Sequence, residues 1–214
     1  MKKSIFFAAL LVSVTSISMA QESTTETDFR ESLRFGVKVG VNNSNVYDSN
    51  GEKFKADGKF GFVGGAFLAI PIGKYLGVQP EVLFSQKGFQ ANGTLLGSPY
   101  KVTRTTSYLD IPLQIALKPS EFITILAGPQ YSYLIKQNDK FTSSIINTQQ
   151  EQEFKNENIR KNMFGVVGGL DINLKHFIIS GRLGWDISQN NGDGTTSTPR
   201  YKNRWIQATI GYAF

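Results

Sequence analysis

Eight stretches of this chain alternate bulky apolar residues with polar or small ones at a period of two, the spacing that sends successive side chains to opposite faces of a β-strand. In the last stretch Ile206, Ala208, Ile210, Tyr212 and Phe214 share one face, and Trp205, Gln207, Thr209, Gly211 and Ala213 the other. The links between the stretches constrain the fold further, because they alternate in length. Short links fall at Pro71 to Tyr75, Lys118 to Glu121 and Lys175-His176. Long polar ones cover Asn43 to Gly58, Gln90 to Pro99, Lys136 to Lys161 and Gln189 to Asn203, with turn signals at Asn50-Gly51, Asn92-Gly93 and Asn191-Gly192. An up-and-down sheet then has all its short turns at one end, which is the pattern of an outer-membrane barrel with the short turns in the periplasm. The expected fold is all-β: an eight-stranded antiparallel up-and-down transmembrane β-barrel.

A soluble eight-stranded barrel would show the same alternation, so the contents of the two faces have to decide between water and lipid outside. Eight strands enclose an interior just wide enough for side chains to fill. The face rich in Gly, Ser, Thr and Gln suits that interior. The other face, crowded with Ile, Leu, Val, Phe and Tyr, suits lipid, and Phe60, Phe84, Tyr131, Tyr133, Phe164, Phe177, Trp185, Tyr212 and Phe214 fall toward strand ends where aromatic girdles belong. Composition agrees, with 21 Gly, 16 Phe and 8 Tyr against 3 Met.

The beginning of the chain points to export. Lys2 and Lys3, the apolar run Ile5 to Val14 and the small-x-small site Ser18-Met19-Ala20 form a signal-peptide pattern, too short for a spanning helix. The expected organisation is a cleaved signal peptide at 1–20, a flexible periplasmic leader at 21–32 and the barrel at 33–214. No globular domain is expected before or after the barrel. The expected location is the cell outer membrane. The chain has no Cys and therefore no disulfide framework. Its net charge of +6 comes without a concentrated basic run, so a nucleic-acid partner is not expected.

The segments RFGVKVGVNNS (34 to 44), GVQPEVLFSQKGF (77 to 89), SYLDIPLQIALKP (107 to 119), ILAGPQYSYLI (125 to 135), FGVVGGLDINL (164 to 174) and NRWIQATIGYAF (203 to 214) together resemble outer-membrane β-barrel proteins of the PorT type, usually labelled porin-family proteins. The resemblance spans nearly all of the chain after the signal. It implies fold and location more firmly than activity, since the founding member serves a protein-secretion system and most members have no assigned role. It also implies that Tyr212 and Phe214 resemble the terminal aromatic signal read by the barrel-assembly machinery.

The inward face carries Arg34, Lys38, Glu81, Lys87, Arg104, Asp110, Asp171, Arg182 and Asp186. Unpaired buried charges are costly, so residues of both signs are expected to pair into a plugged lumen. The single His176 lies in a short turn, where a structural role is expected over a catalytic one. No cofactor or metal is expected: one His and no Cys argue against a transition metal, and the acidic residues Asp48, Asp57, Asp193, Glu151, Glu153 and Glu157 lack the ligand spacing of a calcium loop. Basic residues gather in or near the long loops (Lys53, Lys55, Lys59, Lys87, Lys101, Arg104, Lys136, Lys140, Arg160, Lys161, Arg200, Lys202 and Arg204). Of these, Lys101, Arg200, Lys202 and Arg204 are candidates for a rim that binds anionic glycolipid. The expected function is a non-catalytic structural, adhesive or accessory role in the envelope. Expected partners are outer-membrane lipid, the assembly machinery and other envelope proteins. A small-solute or ion-conducting channel is the alternative, and a lipid-modifying enzyme a more distant one.

Overall fold

The structure, a computed structural model, describes residues 28–47, 56–95, 98–143, 147–152, 159–191 and 200–214. The signal peptide and residues 21–27 of the leader lie outside the described residues, as do Asn50-Gly51, Lys53, Lys55, Asp48, Asp193, Glu153 and Glu157. Nine strands run β1 (Arg34–Tyr47), β2 (Ala56–Pro71), β3 (Leu76–Leu95), β4 (Ser98–Leu117), β5 (Ile123–Ser143), β6 (Asn147–Gln152), β7 (Asn162–Leu174), β8 (Phe177–Asp186) and β9 (Lys202–Ala213). Every pairing is antiparallel. Eight strands close into a barrel, because β4 pairs with β5 and β1 pairs with β9. The ninth, β6, adds only to the upper part of β5. Closure removes the open edges whose unpaired backbone groups lipid cannot satisfy.

Burial alternates strand by strand as the period of two requires. Strand β8 is exposed at Phe177, Ile179, Leu183 and Trp185 and buried at Ile178, Ser180, Arg182 and Asp186. The exposed set is apolar and the buried set mostly polar, the reverse of a water-soluble protein. The short turns are where the sequence places them. In the β7–β8 turn Lys175 takes φ 56°, a left-handed conformation that favours glycine.

The long links are shorter than the sequence suggests. The stretch Gln90 to Pro99 is largely strand: Asn92 pairs with Lys101 and Gly93 with Tyr100, so Asn92-Gly93 is not a turn. Strand β5 likewise continues to Ser143 through a region expected to be loop. Cross-strand partners outweigh the local turn preference of Asn and Gly here. A tilted membrane strand needs about 9–11 residues, whereas β3 and β4 have 20 each and β5 has 21. The surplus rises about 20–25 Å beyond the membrane band at 3.3 Å per residue and a 45° tilt. One extra residue in β2 between Gly58 and Val63, and one in β5 opposite the Ser107/Tyr108 step, bend the sheet as it leaves that band.

At the opposite end the described residues before β1 pack on the barrel. Residues 28–33 form a turn against the mouth of the barrel, with the Glu31 amide donating to Asp28 O at 3.0 Å. Arg30 grips Asp28 through Nε and Nη2, at 2.9 and 2.6 Å. Residues 28–32, the described end of the leader expected over 21–32, form a cap on the barrel mouth. The chain end is tied at the same level: the Phe214 amide donates to Phe35 O at 2.8 Å and the Ala213 amide to His176 O at 2.7 Å. Phe214 stacks on Phe35 and meets Tyr212 edge-on, with centroids 6.0 and 5.1 Å apart.

Candidate functional site

All nine charged residues assigned to the lumen point inward, each no more than 8% exposed. They form levels along the barrel axis. At mid-height Lys38 Nζ lies 2.7 Å from Glu81, and Arg182 bridges Asp171 at 2.7 Å and Glu81 at 3.7 Å. Gln79 donates to Glu81 at 2.9 Å, and Arg182 Nε donates to Gln114 at 3.2 Å. Higher up, Lys87 pairs with Asp110 at 3.0 Å, and Asn203 Nδ2 donates to Asp186 at 2.6 Å. Above that, Arg104 holds Asp139 through two bonds of 2.7 Å, joined by Gln137 at 3.2 Å.

Two aromatic side chains complete the filling, and each needs a glycine opposite. Trp205 lies across Gly184, where a Cβ would come within 2.2 Å of the indole, and Lys87 Nζ sits 3.7 Å from the other side of the ring system. Phe67 lies across Gly36 in the same way, 2.3 Å from where its Cβ would be, with Lys38 Nζ 5.0 Å from the ring centre. Bulk and charge thus occupy the interior together. Above them, Val46, Phe89 and Tyr201 form one apolar cluster and Tyr108, Leu134 and Met163 another.

Asp139 escaped the sequence reading because it sits in a stretch taken as loop. Lys118, at the lower mouth, and Asn203, beside Asp186, were also missed as lumen residues. Ser132 and Leu134 face inward, and the extra residue of β5 opposite the Ser107/Tyr108 step shifts the phase by one, so that Gln137 and Asp139 face inward where an unbroken period of two would have sent Lys136 and Asn138. Arg34, expected to pair with a carboxylate, donates instead to Lys175 O. Lys87 and Arg104, counted among the rim cations as well as the lumen set, belong to the interior alone. Of the rim candidates, Lys101, Arg200 and Arg204 are exposed. Lys202 is half-buried, with its ammonium 5.9 Å over the Tyr47 ring.

His176 donates from Nδ1 to Ala213 O at 2.9 Å and stacks on Tyr212, with no Ser or carboxylate among these contacts. Among the described residues no group of three His, Cys, Asp or Glu side chains is arranged to hold a metal ion.

A closed barrel, apolar outside and charged inside, is an outer-membrane architecture, and residues 19–190 match the family model described as an outer membrane protein beta-barrel domain. The chain belongs to this family. Its location is the outer membrane. No curated protein sequence matches it. Among solved structures it is similar to the attachment invasion locus protein Ail of Yersinia pestis, at 14% identity over 85% of this chain and 98% of that one, with a TM-score of 0.47. Neisserial surface protein A is similar at 10% identity over 84% and 97%, TM-score 0.47. The outer membrane protease OmpT from Escherichia coli is similar at 10% identity over 90% and 99%, TM-score 0.43.

Proposed function

We propose that this chain is a closed, non-catalytic outer-membrane barrel acting through its extracellular strand extension, in an adhesive or accessory role in the envelope. The filled lumen carries this reading. Lys38–Glu81, Arg182–Asp171 and Lys87–Asp110 cross the interior at successive heights, with Trp205 and Phe67 laid across it. Eight strands give no spare width for a water channel beside such side chains. What remains available to a partner is the tall sheet of β3, β4, β5 and β6 above the membrane. The resemblance to PorT-type proteins favours an accessory role in protein secretion, with Tyr212 and Phe214 as the assembly signal and cleavage near Ala20.

In planar bilayers the purified chain is expected to show no large, stable openings, and steady conductance of porin size overturns the reading in favour of a solute channel. The exposed cations Lys101, Arg200 and Arg204, with Lys202, are proposed to meet anionic glycolipid at the outer rim. Changing all four to Gln is expected to reduce glycolipid retained on purification while leaving the barrel folded. Unchanged retention removes that assignment.

A further inference from the structure

Most buried charges in this barrel face an opposite charge, but two at the periplasmic mouth do not. Arg34 and Lys118 are 8% and 6% exposed. Arg34 donates to Lys175 O and lies 5.0 Å from the Phe29 ring centre, and Lys118 Nζ donates to Arg30 O at 2.8 Å. These partners are carbonyls and a ring, not carboxylates. The nearest acids are engaged elsewhere: Asp28 by Arg30 and Lys74, and half-exposed Glu121 by Arg30 at 3.8 Å. Burial, and then the charge of Arg34, push the Lys118 ammonium below its ordinary pKa, and the smaller opposing pull of Asp28 does not offset them. A pair of buried cations whose nearest carboxylates are already shared with Arg30 and Lys74 is an unfavourable arrangement that an anion would relieve.

Space for one is present. Arg34 and Lys118 line the same small cavity, about 30 Å³ and partly open to the periplasmic side. Gln79, Thr124 and Asn173 add polar groups to its wall, Phe29 and Arg30 of the N-terminal turn also line it, and the half-exposed Glu121 reaches it with its carboxylate turned to Arg30 at 3.8 Å. Gly77 leaves room for Lys118, whose Nζ lies 3.3 Å from where a Cβ would stand. We propose that this cavity binds a phosphate group, with the Arg34 fork and the Lys118 point charge as its ligands and residues 28–30 closing over it. The combination of a planar fork and an ammonium is a recurrent phosphate-binding set. The phosphate is either free in the periplasm or carried on a phospholipid headgroup of the adjoining leaflet.

The test uses the full mature chain folded in phosphate-free detergent micelles. Inorganic phosphate and short-chain phosphatidylglycerol are titrated separately against sodium chloride at matched ionic strength. The readouts are the temperature at which the heat-modifiable gel band converts and the phosphorus NMR signal. At least one phosphate arm is expected to raise that temperature saturably, by several degrees beyond chloride. Action of inorganic phosphate identifies the free anion, and action of the lipid alone identifies the headgroup. Arg34→Gln and Lys118→Gln are each expected to weaken binding at least tenfold. In phosphate-free medium Lys118→Met is expected to match or exceed the parent's transition temperature, because it removes an uncompensated buried charge. Should one variant fail to fold, the other carries the comparison. The proposal is overturned if neither phosphate arm exceeds chloride, or if the folded variants bind as tightly as the parent.

Discussion

Replacing Arg182 with Met tests whether the lumen pairs hold the barrel together or merely fill it. Arg182 makes the 2.7 Å contact to Asp171, the 3.7 Å contact to Glu81, and hydrogen bonds to Gln114 Oε1 at 3.2 Å and Leu170 O at 3.0 Å. The two acids would be left in different positions. Glu81 keeps Lys38 at 2.7 Å and Gln79 at 2.9 Å. Asp171 loses its ion-pair contact and keeps a long 3.5 Å hydrogen bond from the Gln79 amide across the lumen. One buried carboxylate is orphaned, and breaking a buried pair in this way costs about 3–5 kcal/mol. The double variant Arg182→Met/Asp171→Leu removes both charges and fills part of the space. It is expected to recover most of that loss, since apolar replacement of a whole pair is often neutral. Urea unfolding in micelles, followed by tryptophan fluorescence and gel mobility, gives the coupling between the two positions. The reasoning fails if Arg182→Met lies within about 1 kcal/mol of the parent, or if the double variant is as unstable as the single one.

Gly184→Ala is expected to cost about 1–3 kcal/mol by overpacking against Trp205, and Gly184→Ala/Trp205→Leu to recover part of it in the same unfolding assay. Lys175→Gly should stabilise the β7–β8 turn by up to about 1 kcal/mol, since φ 56° is strained for Lys; the same urea midpoint reads it. The side-chain bond from Arg30 holds the Asp28 carboxyl well below the usual carboxylate range, so its contribution to the N-terminal turn is present above the ordinary Asp pKa and lost only as pH falls through the depressed one. Hydrogen-exchange protection of the Glu31 amide should accordingly persist at pH 4, with loss already complete there counting against the Asp28–Arg30 contact.

The faces of the barrel were legible because a period of two assigns every residue of a strand at once. Once Ile179, Leu183 and Trp185 are read as lipid-facing, Arg182 and Asp186 have nowhere to point but inward. Pairing was not legible in the same way. That Arg182 meets Asp171, 11 residues earlier in the chain, while Lys38 meets Glu81 follows from register between strands, which no single strand encodes. Strand ends failed for a different reason. Asn92, Gly93 and Asn138 carry turn preferences, yet their backbones are held by neighbours in β4 and, for Asn138, also in β6. The cap at the mouth had a local signal in Asp28 and Arg30, two residues apart, but a polar leader offers no periodicity to separate an ordered turn from a solvated tail.

The distribution of charge along the axis links the sealed lumen to its lower end. Mid-height is balanced, with Lys38 and Arg182 against Glu81 and Asp171. Higher up the balance shifts toward the acidic side, because Lys87 pairs with Asp110 while Asp186 is satisfied by the Asn203 amide and backbone rather than by its own cation. At the periplasmic mouth it shifts the other way, with Arg34 and Lys118 bonded to carbonyls rather than to carboxylates. A barrel whose purpose was only to be plugged would gain from apolar residues at those two positions, since buried cations without a carboxylate in contact lower stability. Their presence, beside a cavity at the lower mouth, is the arrangement expected of a site that waits for an anion arriving from the periplasm.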